Sequence, residues 1–372
     1  MFLIKVLCTF SQLVVTDKKR KQRNLLPNFI VLIICSIYFP MGIKLNRPII
    51  VQILFLVFIV LSLFRITTSD NLRPANFVFG DSLVDVGNNN YIASLSRANY
   101  VPFGIDFGRP TGRFTNGRTI VDIIGQEMGI DFTPPYLAPT TAGPVILNGV
   151  NYASGAGGIL NLTGKLFGDR INFDAQLDNF ANTRQDIISY IGLPATLNLF
   201  RRSIFSVTMG SNDFINNYLA PAVIILEQEL ASPELFVTTL VSRFREQLIR
   251  LFNMGARKIT VTNVGPIGCI PSQRDTNPAA DVYHILEDLL NNYAAYGFED
   301  PSSGCCRVLL GGRFGGLIPC GPTSTVCSDR SKYVFWDPWH PTDAANVIIA
   351  KRLLDGDHND IFPVNVRKLI QY

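Results

Sequence analysis

The sequence predicts an α/β protein, a parallel sheet with helices on both faces. Two observations carry this. From residue 70 onward, short β-rich runs alternate with runs of helical apolar period. The polar motifs fall just after the strand runs, at the carboxyl edge where such sheets bind ligands. With 372 residues, 47% of them hydrophobic, the chain has ample material for a core.

In order, Asn76–Gly80 (NFVFG) reads as a strand ending in Gly. Thr119–Met128 repeats Ile120, Ile123, Ile124 and Met128 at helical spacing. Val150–Ala153 is a second short strand, closed by Ser154 and Gly155, and Phe173–Ile191 reads as an amphipathic helix. Ser203–Met209 is a strand stopped by Gly210. Pro233–Met254 is the clearest helix, with Ser232 as cap, Pro233 as first residue and Gly255 as stop. Its buried face is Phe236, Leu240, Phe244, Leu248 and Leu251. Lys258–Val264 is a strand, and Val282–Tyr296 and Asp343–Leu354 are helices.

Residues 1–69 read as a leader. The apolar run from Ile49 to Phe64 follows Lys44 and Arg47 and precedes Thr67-Thr68-Ser69, the signal-peptide pattern, with cleavage after Ser69. A signal anchor is the alternative, since the run approaches the roughly 18 residues of a span. Met41 alone begins a well-formed signal peptide, so it is the expected natural start. The leader holds nine Lys or Arg and one acidic residue, Asp17. The remaining 70–372, expected as a single domain, carries 24 basic and 28 acidic residues, with no basic stripe to suggest nucleic acid. No stable membrane span is expected after signal removal, and a monomer is expected.

Cys8 and Cys35 lie in the leader, leaving Cys269, Cys305, Cys306, Cys320 and Cys327. A secreted chain favours disulfides, and an odd count leaves one thiol without an intrachain partner. Asn161-Leu162-Thr163 is a glycosylation sequon.

Four motifs bear on chemistry. In FGDSLVDVGNNN (79–90), Ser82 follows a strand at a tight turn, which can project a hydroxyl as a nucleophile requires. Alone, such a Ser is more often a cap. WDPWHPTDAAN (336–346) holds Asp337 and His340 in a Pro-constrained turn. An imidazole can take a hydroxyl proton, and a carboxylate fixes its tautomer. Of the three histidines, His284 sits in a helical run and His358 in a polar tail, leaving His340 as the base. NYASGAGG (151–158) offers the Gly155 N–H, and GSNDF (210–214) the Asn212 amide, as donors to an oxyanion. Each alone is an ordinary strand-to-loop turn.

Together, FGDS, NYASG, GSND and DPWH, in that order, resemble the plant GDSL esterase/lipase family of the SGNH hydrolases. GRFTNGR (112–118), GARKITVTNVGPIGCIP (255–271) and CGPTSTVC (320–327) match as well, and the resemblance runs from about Asn76 to Arg367. It implies a flavodoxin-like, three-layer α/β/α fold and a secreted ester hydrolase working through an acyl-serine. Ser82 is the implied nucleophile, His340 the base and Asp337 its orienting acid. The N–H groups of Ser82 and Gly155 and the Asn212 amide form the implied oxyanion hole. No metal or organic cofactor is implied, and the partner is an acyl ester. An acyltransferase using the same acyl-serine is the alternative, as is a catalytically silent binding or structural protein.

One departure stands out. Gly265–Ala280 is rich in Gly and Pro and shows no helical apolar period, where a parallel neighbour needs a crossover of about a dozen residues. Similar family members carry a Cys-bearing segment, a long helix and a strand here. The expectation is a missing strand and helix between about 275 and 282, with Asp281-Val282-Tyr283 as the strand's remnant and Cys269 deprived of its partner.

Overall fold

The computed structural model describes residues 73–219, 232–276 and 284–371, together with residues 52, 55–57 and 59. The chain forms two units, 1–71 and 72–372. In the first, the described residues are helical. The expected start at Met41, the cleavage after Ser69, Cys8, Cys35 and the remnant 281–283 lie outside the described residues. Among the described residues no helix is long and apolar enough to cross a membrane.

The second unit is built on three parallel strands, β1 (Asn76–Gly80), β2 (Ile204–Thr208) and β3 (Lys258–Thr262), in the order β1-β2-β3. Residues 150–154 continue the sheet beyond β1: Val78 donates to the Val150 carbonyl, and Tyr152 and Ser154 donate to those of Val78 and Gly80. Pro135 bridges Asn151 in parallel on the far side. The predicted strand at 150–153 is therefore present as a short ladder, although only as isolated bridges.

Strand period two assigns the faces. Phe77 and Phe79 of β1 and Phe205 and Val207 of β2 point to one side. There they meet Leu177 and Phe180 of α2 (Phe173–Ile191), Phe200 of α3 (Leu193–Arg202) and Leu240 and Leu251 of α4 (Pro233–Asn253). The Phe77 and Phe205 rings stack at 5.0 Å. On the other face, Ile204 packs with Ile120, Ile123 and Ile124 of α1 (Ile120–Glu127) and with Ala350 and Leu354 of α7 (Asp343–Asp355). The layers are α/β/α. The cap expected at Ser232 is made, its Oγ accepting from the Leu235 N–H, and Thr119 adds a capping box with Asp122 that the sequence reading did not include.

β1 and β2 are buried at every residue, whereas β3 is mostly half-buried and Val261 is 44% exposed. Beyond β3 no strand pairs with it among the described residues. An outer strand of that kind fits a sheet lacking the block expected near 275–282. Gly265–Ala280, read as irregular, contains the short helix α5 (Pro271–Thr276). Apolar period does not hold it. Asp275 accepts the N–H groups of Phe314 and Gly316, and Ser272 donates to the Pro338 carbonyl. The helix expected over 282–296 is α6 (His284–Asn291) followed by a single tighter turn, Tyr293–Tyr296.

The C-terminal part adds β4 (Asp300–Gly304) paired in parallel with β7 (Tyr333–Phe335), and the hairpin β5 (Cys306–Arg307) with β6 (Thr325–Val326). Disulfides Cys305–Cys327 and Cys306–Cys320 pin this hairpin, and Cys269 is free. A short helix, α8 (Val366–Gln371), closes the chain over β3, where Lys258 Nζ donates to the Ile370 carbonyl.

Candidate active site

Ser82 stands two residues past β1, on a turn held from three directions. Asp81 N–H donates to the Thr208 carbonyl of β2. Gln176, buried on α2, accepts the Gly80 N–H and donates to the Gly80 carbonyl. Asp81 Oδ1 accepts the Leu83 N–H at 3.0 Å, closing an Asx turn around the serine. Gly80 allows this close approach: a Cβ there would lie 2.5 Å from the Thr208 carbonyl oxygen and 2.4 Å from Val84 Cγ2. Gly80→Ala is therefore expected to cost about 1–3 kcal/mol in stability. By displacing Ser82 it should also lower kcat by about 100-fold. Urea denaturation and ester kinetics on the purified variant check both.

The second segment arrives from β7. Trp336 N–H donates to the His340 carbonyl, closing the loop 336–340, and Cys306 N–H donates to the Trp336 carbonyl, tying the loop to the disulfide hairpin. Asp337 is 1% exposed; its Oδ1 accepts the N–H groups of Trp339 and His340. His340 Nδ1 lies 2.8 Å from both Asp337 carboxylate oxygens, and Nε2 lies 2.8 Å from Ser82 Oγ. The Phe114 ring lies 5.1 Å from the imidazole, tilted by 38°. Asp337, His340 and Ser82 thus form a continuous hydrogen-bonded line across 258 residues of chain. With Nδ1–H directed at the carboxylate, Nε2 is the lone-pair nitrogen facing the hydroxyl, the polarity a general base needs.

Asn212 sits on the helical turn Ser211–Asp213 after β2, 7% exposed. One amide hydrogen goes to the Gly157 carbonyl at 2.9 Å, and Oδ1 accepts from Asn216. Gly155 departs from expectation. Its N–H is already taken, donating to Asp85 Oδ2 at 3.0 Å, and it is buried. Glycine is required there by packing, since a Cβ would lie 2.6 Å from Phe114 Cζ and 2.7 Å from Ser96 Oγ. Asn161 of the sequon is exposed, and the Thr163 hydroxyl donates to the buried Asp213 carboxylate. Among the described residues no cluster of His, Cys, Asp and Glu could hold a metal ion.

Burial perturbs the carboxyls around the serine. It pushes Asp81 up to about 7, the Leu83 N–H and the facing His340 pulling the other way. It pushes Asp85 up to about 6 against the N–H groups of Gly87, Gly155 and Asn88. Asp213 is likewise raised by burial.

The motif reading missed the supporting residues. Asn88 donates to the carbonyls of Asn151 and Ala153, and Asn89 bonds Ser154 Oγ and the Gly155 carbonyl. Both lie in the quoted run after Ser82, and their type, buried Asn beside a strand end, was the available signal. Arg113, from GRFTNGR, forms a buried pair with Asp122 at 2.7 Å that carries Phe114 toward His340.

A cleft of about 580 Å³ opens on Ser82 and His340. Ala156 and Asn212 line it near the serine. Farther out, Ile267, Ile285 and Leu353 make it mostly apolar, and it runs along the carboxyl end of β3. Such a cleft suits an apolar chain ending in a carbonyl at Ser82.

The pattern of the GDSL-like lipase/acylhydrolase family matches residues 77–353. The chain is 59% identical over 335 residues to the Arabidopsis thaliana protein GDSL esterase/lipase At4g16230, covering 80% of this chain and 90% of that one. It is 46% identical over 352 residues to GDSL esterase/lipase At3g50400 of the same plant, covering 82% and 94%. In both, the aligned length exceeds the share of this chain that takes part, so a few dozen aligned positions have no counterpart here. A family match across most of the folded unit, with the serine and its neighbours inside it, makes this chain a member of the GDSL lipase/acylhydrolase family.

Proposed function

We propose that the protein is a secreted serine ester hydrolase that cleaves acyl esters through an acyl-serine at Ser82. The observation that carries this is the line Asp337–His340–Ser82, with 2.8 Å at each junction. His340 takes the Ser82 proton as Oγ attacks the acyl carbon and returns it to the leaving alcohol. It then takes a proton from water, whose oxygen attacks the acyl-serine, and gives it back to Ser82 as the acid departs. The mostly apolar cleft favours esters of hydrophobic acyl groups. A silent binding protein is disfavoured, because the loop bearing His340 is braced to the disulfide hairpin rather than displaced. Secretion fits the leader ending at Ser69, a mature chain from Asp70, and disulfides, which persist in oxidising compartments. Exposed Asn161 is the proposed glycosylation site.

A fluorophosphonate probe tests the reading. Purified chain from Asp70 should be labelled at Ser82 and the Ser82→Ala variant not at all. Folded wild-type protein that takes no label, or takes it at another residue, overturns the proposal.

A further inference from the structure

The four most exposed large apolar side chains among the described residues are Leu309 at 93%, Leu310 at 86%, and Leu95 and Phe362 at 80% each. They come from three distant segments, yet all belong to one neighbourhood. Leu95 and Phe362 line the cleft over Ser82. Leu309 and Leu310 stand on the loop 307–319, which the Cys306–Cys320 disulfide closes and whose end, Pro319 and Cys320, lines the same cleft. The Tyr100 hydroxyl, also on the cleft wall, donates to the Cys320 carbonyl and fixes that end. Exposure of the leucines is not slack in the loop. Asp275 accepts the N–H groups of Phe314 and Gly316, the Phe314 carbonyl accepts the Gly304 N–H, and Leu317 N–H donates to the Gly311 carbonyl. These bonds anchor the loop on the protein side and leave its leucines facing water. Charge is segregated as well. From Pro301 to Cys327 the charged residues are Arg307 and Arg313, both exposed and without an ion-pair partner among the described residues. Residues 70–372 as a whole carry more acidic than basic residues.

We infer that this apolar rim and its two arginines form a docking surface for an anionic lipid–water interface, which delivers the ester to Ser82. The inference rests on the hydrolase reading for the destination of the lipid, not for the docking itself. An adjacent pair of exposed leucines, continued by a leucine and a phenylalanine at a cleft mouth, keeps in water apolar area that a soluble monomer ordinarily buries. A lipid surface covers it. The leucines enter the boundary between headgroups and acyl chains, and the arginines meet anionic headgroups. The cleft then opens toward the lipid, so an acyl chain passes from the aggregate into an apolar channel without crossing water. A protein partner would cover the same side chains, but it would also close the mouth through which the ester must enter.

Vesicle flotation with the mature Ser82→Ala protein, which consumes no ester, tests docking apart from turnover. The protein should float with vesicles of phosphatidylcholine and phosphatidylglycerol, and less with phosphatidylcholine alone or at high salt. Leu309→Ser combined with Leu310→Ser, at positions outside the cleft lining, should weaken binding about 10–100-fold. With Ser82 restored, the same pair should leave hydrolysis of a dissolved short-chain ester unchanged and slow that of an emulsified long-chain ester. Arg307→Gln combined with Arg313→Gln should weaken binding to the anionic vesicles about 5-fold per arginine and leave binding to phosphatidylcholine unchanged. This second pair decides the matter if circular dichroism shows that the first impairs folding. A Ser82→Ala protein that stays in the soluble fraction, or a leucine variant that floats like its parent, overturns the inference. So does a dimer that the leucine changes dissociate, since the patch would then belong to a second copy. None of these outcomes touches the hydrolase reading, which fails if folded wild-type protein leaves the dissolved ester uncleaved.

Discussion

Replacing Ser82 or His340 with alanine is expected to lower kcat for a short-chain p-nitrophenyl ester by about 10⁴–10⁶-fold, and the double variant should lose no more than either single one. The non-additivity is the informative part. Once the hydroxyl is gone, His340 has no proton to take; once the imidazole is gone, the hydroxyl has no base at 2.8 Å. Asp337→Asn should cost somewhat less, about 10⁴-fold, by permitting the wrong imidazole tautomer. Asp337 also holds the N–H groups of Trp339 and His340, so asparagine, whose Oδ1 can keep them, separates tautomer control from loop collapse. Steady-state kinetics with circular dichroism on each variant read the result. Losses that multiply in the double variant would show the two groups acting independently and break the proposed relay.

The elements that frame this site were legible in the sequence because each carries its own pattern. NFVFG and SIFSVTM are short β-rich runs each closed by a glycine, and became the two strands buried at every residue. Pro233–Met254 announces its cap, its buried face and its stop, and differs from the observed helix by one residue. What was not legible depends on partners far away in the chain. Residues 134–136 join the sheet beside Asn151 despite two prolines, because Asn151 N–H and the Tyr136 N–H supply the bonds that the prolines cannot. Helix α5 exists because Asp275 meets a loop some 40 residues on. Gly155 was the natural oxyanion donor from its motif. No sequence pattern says that the Asp85 carboxylate, 70 residues earlier, has already taken its N–H. That bond is set by tertiary contact between distant segments, which a local motif does not encode.

The same buried carboxyls make stability fall as pH rises. Burial lifts Asp81 to about 7 and Asp85 to about 6, against 3.8 for an ordinary aspartate. Between about pH 4 and 7 the folded protein keeps protons that the unfolded chain releases, so raising the pH favours unfolding. The contribution is complete below pH 4 and lost above 7, and amounts to on the order of 3–4 kcal/mol for each residue. Asp213, also raised by burial, acts in the same direction. Asp288, lowered by its hydrogen bonds to Tyr296 and Asn292, and Asp355, lowered by Arg367, oppose this only as the pH falls through the carboxylate range. Asp355 is an exposed pair and Asp288 is still substantially open to solvent, so their effect is small. Stability should therefore peak near pH 4–5, and the melting temperature should be several degrees higher at pH 5 than at pH 8. Asp81 is the sharper probe. Its Oδ2 has no hydrogen-bond partner, so ionising it places a charge in the core with only the Leu83 N–H and the facing imidazole to compensate. Asp81→Asn cannot ionise, and its melting temperature should change much less between pH 5 and 8 than that of the parent. Equal slopes for variant and parent would mean that Asp81 is already ionised in the fold, and that water or a rearranged turn reaches it beside Ser82.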